Sequence, residues 1–369
     1  MKILFVCTVP KDIFSGGRYH THLMASTLSH LGHEVTFHTN NAPVYNNEFL
    51  EHIPGYASIH FELSGDFRTP PEEHFDLVIL APDQSQNLYY DFAFNICDTQ
   101  KIPLVLINFE SPNWFNSLSP YPRDENLWDK WTKSLLRPSV ILSSAKESQK
   151  WAKEYYPNVE KQNLYSYWYP PINSPAADSV FDKNITKENS ILAISRFNDK
   201  HKGALDLLSV LDESLRGYTL KFLTSRPILR DETTIPLFEK AENFGINLKF
   251  IENPTEVEKF HEIQKSKLML FPSYFEGFGY PPLEALYMDT PVVCYDLPVL
   301  RETTEGCDGI YFADRGNFDD LKIKIQKALQ SQPKNMRAAI FKNTNFEERS
   351  KSLNTLVSEW TSSVSSWCK

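Results

Sequence analysis

Short apolar runs of strand length alternate along this chain with stretches of helical periodicity. Lys2 to Thr8 reads as a buried strand ended by Val9-Pro10. From Tyr19 to Leu31 the spacing becomes helical, with Leu23, Met24, Thr27, Leu28 and Leu31 on one side and Gly32 as the natural C-cap. Val35 to His38 follows as a second strand, so the opening segment is a β-α-β unit of the length a parallel crossover needs. Asp76 to Leu80, Leu104 to Phe109 and Val140 to Ser143 repeat the apolar run. Strands this uniformly apolar imply a parallel sheet covered on both faces.

Between Trp168 and Asn189 the character changes to Pro, Ser, Asn and Asp, opening on Tyr169-Pro170-Pro171. This predicts a first domain over 1–170, a linker over 171–188 and a second domain over 189–345. In the second domain the alternation restarts. Ile191–Ile194, Thr219–Leu223, Leu248–Ile251, Leu268–Phe271 and Val292–Cys294 read as strands. Lys202–Asp212, Pro236–Phe244, Thr255–Ser266 and Pro282–Tyr287 read as helices between them. The tail Phe346–Lys369 reads as a helix with Leu353, Leu356, Val357 and Trp360 as its apolar stripe. A chain of 369 residues is longer than one core usually serves, which agrees with two α/β domains facing a central cleft. In such sheets ligands sit outside the carboxyl ends of the strands, so the loops after strands are where chemistry is expected.

Charge and cysteine usage narrow the function classes. The net charge is -9 and no run of Lys or Arg interrupts it, which argues against a nucleic-acid partner. Cys7, Cys97, Cys294, Cys307 and Cys368 are scattered and form no CxxC pair, which argues for a reducing compartment and against a structural zinc site. No stretch approaches the roughly 20 apolar residues of a membrane span. A cytoplasmic location is therefore expected. The aromatic residues crowd between Tyr89 and Tyr169, and a packed core is the plainer account than a sugar-stacking surface. The basic-aromatic segment Trp128, Lys130, Trp131, Lys133, Leu135, Leu136, Arg137 reads first as an ordinary surface helix, and second as a peripheral contact with the inner face of a membrane.

Two strand-end segments carry the chemistry. Ser195 to Gly203 follows the strand Ile191–Ile194 and places Arg196 and Lys202 in one loop, with Gly203 opening the next helix. Two cations near a helix start suit a diphosphate and would stabilise it as a leaving group, although alone a solvated basic loop is the plainer reading. Pro272 to Leu286 follows the strand Leu268–Phe271. Pro281 and Pro282 fit a first helical turn, Glu276 lies in the loop before it, and Glu284 lies in or just after that turn. Gly277 and Gly279 let backbone N–H groups approach a ligand, and a carboxylate accepts both hydroxyls of a vicinal diol such as ribose or a hexose presents. A third segment, Asp289 to Glu302, reads as scaffold: a turn, a buried strand and a Pro-marked loop.

The stretch Phe271–Glu302, with Glu276 and Glu284 eight positions apart around Gly277-Phe278-Gly279, resembles the signature of family 4 retaining glycosyltransferases. Arg196 and Lys202 resemble that family's cations on the donor diphosphate. Tyr169-Pro170-Pro171-Ile172 resembles its domain linker, and Gly16-Gly17 its glycine loop after the first strand. The resemblance implies a GT-B fold, two Rossmann-like doubly wound domains, with the C-terminal helix 346–369 packing back on the first of them. It implies that Glu284 binds the ribose hydroxyls, that Glu276 contacts the donor sugar near the reacting carbon, and that Gly277, Phe278 and Gly279 give backbone contacts to sugar and phosphate. Arg196 and Lys202 would neutralise the diphosphate with no metal and no further cofactor, and Gly17 would approach the phosphate from the other domain. The partners implied are a nucleotide-sugar donor and a sugar or lipid-linked sugar acceptor. The reaction implied is hexosyl transfer with retention at the anomeric carbon and no protein nucleophile. One departure stands out. Where many relatives carry a histidine after a strand of the first domain, this chain has Asn108-Phe109-Glu110, and Asp83 after the preceding strand. Glu110 could orient the acceptor in that histidine's stead, against the more ordinary reading of a loop carboxylate.

Three other readings compete. A nucleotide-sugar epimerase would need acid and base groups at the sugar's second carbon, and no such set is evident. A non-catalytic nucleotide-sugar-binding or scaffold protein would have no reason to keep the whole set of donor-site side chains. A nicotinamide dehydrogenase would need GxGxxG spacing, which Ser15-Gly16-Gly17 lacks, and an acidic residue that Val35–Thr39 does not offer.

Overall fold

Ile3 to Cys7, Leu77 to Ala81 and Leu104 to Leu106 are completely removed from water, as strands of a sheet covered on both faces must be. The computed structural model describes residues 1–9, 16–41, 50, 52–63, 67–83, 88–124, 129–156, 163–194, 199–224 and 228–364. The chain divides into two units. Unit 1 comprises Met1–Ser117, Pro122–Pro171 and Asn345–Lys369; unit 2 comprises Leu118–Tyr121 and Ile172–Thr344.

Unit 1 runs β1 (Lys2–Cys7), α1 (Gly16–His30), β2 (Glu34–Thr39), β3 (His60–Leu63), β4 (Leu77–Ala81), α2 (Leu88–Gln100), β5 (Leu104–Asn108), α3 (Pro112–Leu118), β6 (Ser139–Ser143), α4 (Lys146–Tyr155) and β7 (Asn163–Tyr167). Its strands pair in parallel in the order β3-β2-β1-β4-β5-β6-β7, so the strand order reverses between β1 and β4. Helix α1 ends as its sequence predicts. Gly32 takes φ 86°, and the His33 N–H reaches back to the Leu28 carbonyl at 3.1 Å, closing a Schellman turn. Tyr89, Tyr90, Trp114, Trp131, Tyr156 and Trp168 are buried, so the aromatic crowding is core.

Unit 2 runs α5 (Ser174–Val180), β8 (Glu188–Ile194), β9 (Thr219–Thr224), α6 (Ile235–Phe244), β10 (Asn247–Glu252), α7 (Glu256–Lys265), β11 (Ser266–Phe271), α8 (Tyr280–Tyr287), β12 (Val292–Tyr295), α9 (Pro298–Thr303), β13 (Ile310–Ala313), α10 (Phe318–Gln330) and α11 (Met336–Thr344). Its strands also pair in parallel, in the order β10-β9-β8-β11-β12-β13, reversing between β8 and β11. Residues 172–188 are part of this unit, with α5 helical and capped by the Asn173 side chain on the Ala176 N–H. The chain then re-enters unit 1 as α12 (Phe346–Val364), which buries Leu353, Val357 and Trp360. Two hydrogen bonds join α12 to the end of β7. The Trp168 indole donates to the Arg349 carbonyl at 3.0 Å, and Arg349 Nε donates to the Tyr169 carbonyl at 2.9 Å.

Two expectations are corrected. The helix expected over Lys202–Asp212 is broken: a 3-10 turn at Lys200–Lys202, Gly203 at φ 64°, a second 3-10 turn at Ala204–Asp206 and a short α-turn at Leu207–Val210. The left-handed Gly203 cannot continue a right-handed helix. The Pro-marked loop expected after β12 is instead α9, with Pro298 as its first residue, where a missing N–H is harmless.

Because Trp360 is fully buried, Trp360→Ala is expected to cost unit 1 about 3–5 kcal/mol. Denaturant unfolding followed by tryptophan-independent circular dichroism measures this.

Candidate functional site

The carboxyl ends of β8 and β11 lie side by side at the point where unit 2's strand order reverses. The turn after β8 and the loop after β11 are stitched together by backbone. The Tyr274 N–H donates to the His201 carbonyl at 2.8 Å, and Gly203 lies so close to Pro272 that a Cβ there would overlap the Pro272 carbonyl oxygen. The same two segments are joined by side chains. Lys202 Nζ donates to Glu276 Oε1 at 2.7 Å, with Glu276 buried. Beneath them the Tyr295 hydroxyl donates to Asp206 at 2.6 Å and packs on Tyr274, ring centroids 4.9 Å apart. Burial, then the Asp206 carboxylate, pushes the Tyr274 phenol up to about 12, so it stays a neutral group.

Gly279 caps α8 at φ 92°, where an added Cβ would collide with the Leu300 side chain of α9. Phe278 is buried against Tyr280, centroids 5.2 Å apart, and Gly277 is half-buried. One turn into α8, Glu284 is buried and takes its place beside α7. Lys259 Nζ lies 2.7 Å from Glu284 Oε1 and 2.7 Å from Glu256 Oε1. Burial pushes the Glu284 carboxyl up; Lys259 opposes this and Glu256 adds to it. For Lys259 burial acts downward, and the two carboxylates outweigh it and leave the ammonium raised. Oε2 of Glu284 makes no hydrogen bond among the described residues.

The structure thus brings Lys202 to Glu276, and carries Glu284 on the helix that the same loop starts. Arg196 lies outside the described residues. Gly17 and Glu110 belong to unit 1. Gly17 is the second residue of α1, and Phe109 packs so closely on it that a Cβ would sit 3.1 Å from the ring. Glu110 is ion-paired with Arg123, whose guanidinium stacks 3.8 Å over Phe115. The ordinary reading of Glu110, a paired loop carboxylate, is the one this geometry favours.

Residue patterns did not single out two clusters. One is Glu256–Lys259, whose only sequence signal is an acid and a base three apart behind a Thr255–Glu258 capping box. The other is at the strand reversal of unit 1. There Arg18 donates to the Pro82 carbonyl at 2.9 Å and pairs with Asp83 at 3.3 Å, while the Thr8 hydroxyl donates to Asp83 at 2.6 Å. Asp83 was visible as a strand-end acid; its partner Arg18 was hidden inside a helix start. Next to it, His20 is buried between Phe109 and Trp168, and burial pushes its imidazole down to about 3. It is therefore neutral at physiological pH.

Solved structures share this architecture over the full chain. The sucrose-phosphate synthase of Thermosynechococcus elongatus aligns with 98% of this chain and 99% of its own at TM-score 0.71 and 14% identity. Anabaena HepE, solved in complex with UDP-glucose, aligns with 97% of this chain and 100% of its own at TM-score 0.70 and 16% identity. The chain has the GT-B fold. Residues 177–345 of this GT-B chain match the family described as Glycosyl transferases group 1, a match that runs through unit 2 almost from end to end. A curated relative, the O-antigen chain mannosyltransferase RfbU of Salmonella typhimurium (strain LT2), is 47% identical over 38 residues, 10% of this chain and 11% of its own length.

Gly203→Ala is expected to destabilise unit 2 by at least about 1–2 kcal/mol from the left-handed backbone, with the Pro272 overlap adding to it. A melting temperature for unit 2 that stays unchanged would contradict this packing.

Proposed function

We propose that the chain is a retaining glycosyltransferase that moves a hexose-type sugar from a nucleotide-sugar donor, bound on unit 2, to a hydroxyl acceptor. The observation that carries this reading is the loop between β11 and α8. It presents Glu276 against Lys202 at one end and starts the helix that holds the buried Glu284 at the other. Glu284 Oε2 is the acceptor for the ribose hydroxyls, and Lys202 is the cation for the diphosphate. When a diphosphate arrives, Lys202 exchanges a single carboxylate for phosphate oxygens, and Glu276 is released to the hydroxyls of the donor sugar. The group 1 match and the UDP-glucose held by HepE support this assignment.

Retention without a protein nucleophile requires attack on the face the leaving group vacates. The acceptor hydroxyl attacks the face from which the nucleotide leaves, through an oxocarbenium-like state, and the departing phosphate oxygen takes its proton. Lys202, with Arg196 beside it in sequence, stabilises the charge that grows on that phosphate. We place the protein in the cytoplasm, a reading supported by Cys7, Cys97, Cys294 and Cys307, which are buried and form no disulfide among the described residues. No helix among the described residues is long and apolar enough to cross a membrane. For contact with the membrane's inner face, the segment after Trp128 offers the exposed Leu136 beside Lys133; Trp131 is buried in the core, and Trp128 lies outside the described residues.

A thermal-shift panel of UDP-, GDP- and ADP-sugars tests donor binding, since a ligand of the native state raises the melting point. Glu284→Gln is expected to weaken the donor that binds by about tenfold or more, as loss of a charged hydrogen bond costs about 1.5–3 kcal/mol. Lys202→Met is expected to lower turnover about 100-fold or more through loss of leaving-group stabilisation. If no donor shifts the melting point, or if donor without acceptor is turned into a different nucleotide sugar, transfer is the wrong reaction.

A further inference from the structure

A carboxylate that must accept two hydroxyls has to be ionised and held still, and Glu284 is in a poor place for both. It is buried, and a second buried carboxylate, Glu256, shares its neighbourhood. Both conditions favour the protonated acid, which has lost one acceptor position. The phenol of Tyr280 also faces Glu284; burial holds it far above its ordinary range, so it brings no charge to the group. Among the described residues the opposing charge is Lys259, on α7.

We propose that Lys259 is a positioning residue for the nucleoside: anchored on Glu256, its ammonium clamps Glu284 Oε1 and leaves Oε2 as the acceptor for the ribose diol. This rests on the donor-site reading of Glu284 given above. The geometry is specific. Lys259 Nζ lies 2.7 Å from an oxygen of each carboxylate, donating a hydrogen bond to Glu284 Oε1 and ion-paired with Glu256, so the ammonium is held between the two. Glu256 is itself fixed, as the first residue of α7, where the helix dipole favours a negative charge. The order of support therefore runs from the α7 N-terminus to Glu256, to Lys259, to Glu284, to the ligand. A single carboxylate oxygen offers two lone-pair sites, the number that two adjacent hydroxyls need.

The effect is confined to one part of the donor. Lys259 acts on the ribose hydroxyls through Glu284, and it acts equally before and during bond cleavage, so it governs donor KM more than kcat. It also sets the pH range of binding. Without the ammonium, burial and Glu256 raise the Glu284 carboxyl unopposed, so it takes up a proton more readily as pH falls and the diol loses its acceptor.

The test compares wild type, Lys259→Met, Lys259→Arg and the double variant Glu256→Gln/Lys259→Met, which avoids leaving two buried carboxylates in contact if Lys259→Met does not fold. Each is titrated calorimetrically at a series of pH values on both sides of neutrality with whichever of UDP, GDP or ADP binds wild type, and with its 2′,3′-dideoxy counterpart. The expected result is that wild type prefers the ribose form, that the Met variants lose most of that preference, at least about tenfold in Kd, and that their loss grows as pH falls. Lys259→Arg restores it, and dideoxy binding is the same in all four. Equal weakening of both ligands, or a ribose preference kept at every pH, overturns the role of Lys259. If Glu284→Gln keeps the full ribose preference, or none of the three nucleotides binds wild type, the donor-site reading falls and this inference falls with it.

Discussion

An ion taken out of water has to be met by another charge, and around the β11–α8 loop that requirement decides where the side chains go. Two buried carboxylates flank the loop, and each is answered by a lysine brought from a different element: Lys202 from the turn after β8, Lys259 from α7. Removing Lys259 would leave Glu256 and Glu284 buried without their cation, and breaking a buried pair in this way costs about 3–5 kcal/mol. The backbone makes the same arrangement unavoidable. Gly203 under Pro272 and Gly279 under Leu300 are contacts that a side chain would forbid, so the loop is pressed against its neighbours at both ends. A ligand site made this way is held by packing before any ligand arrives, which is what low reorganisation cost requires.

Unit 1 solves the same problem at its own strand reversal with Arg18, Asp83 and Thr8. There the buried cation is an arginine, which satisfies a backbone carbonyl and a carboxylate at once through its fork of N–H groups. Glu110, by contrast, is answered by Arg123 within the same unit.

Much of this was legible in the residues. The central strands were plain because both their faces are buried, so most of their positions are apolar. The strands missed by pattern, β3, β7 and β13, are those near or at sheet edges, where His60–Leu63 and Asn163–Tyr167 mix polar and apolar residues and the signal weakens. The loop with Glu276 and Glu284 was legible because glycines and prolines mark it. Lys259 was not, because a Lys three places after a Glu looks the same on a solvated helix face as on a buried one; only the packing of α7 against α8 separates them. Gly203 was read as opening a helix when its real constraint, the Pro272 carbonyl, lies far away in sequence.

The path of the chain has a further consequence. Unit 2 is nearly continuous, whereas unit 1 needs α12, drawn from residues 346–364, to cover Leu353, Val357 and Trp360. On the ribosome, then, the domain begun first is the one finished last. Helix α1 lacks its partner until residues 346–364 emerge, while the domain encoded in the middle already has all its parts, the reverse of the usual amino-terminal-first order. A nascent chain stalled before α12 would carry a complete unit 2 beside an uncovered unit 1, a state with exposed apolar surface of the kind that chaperones hold.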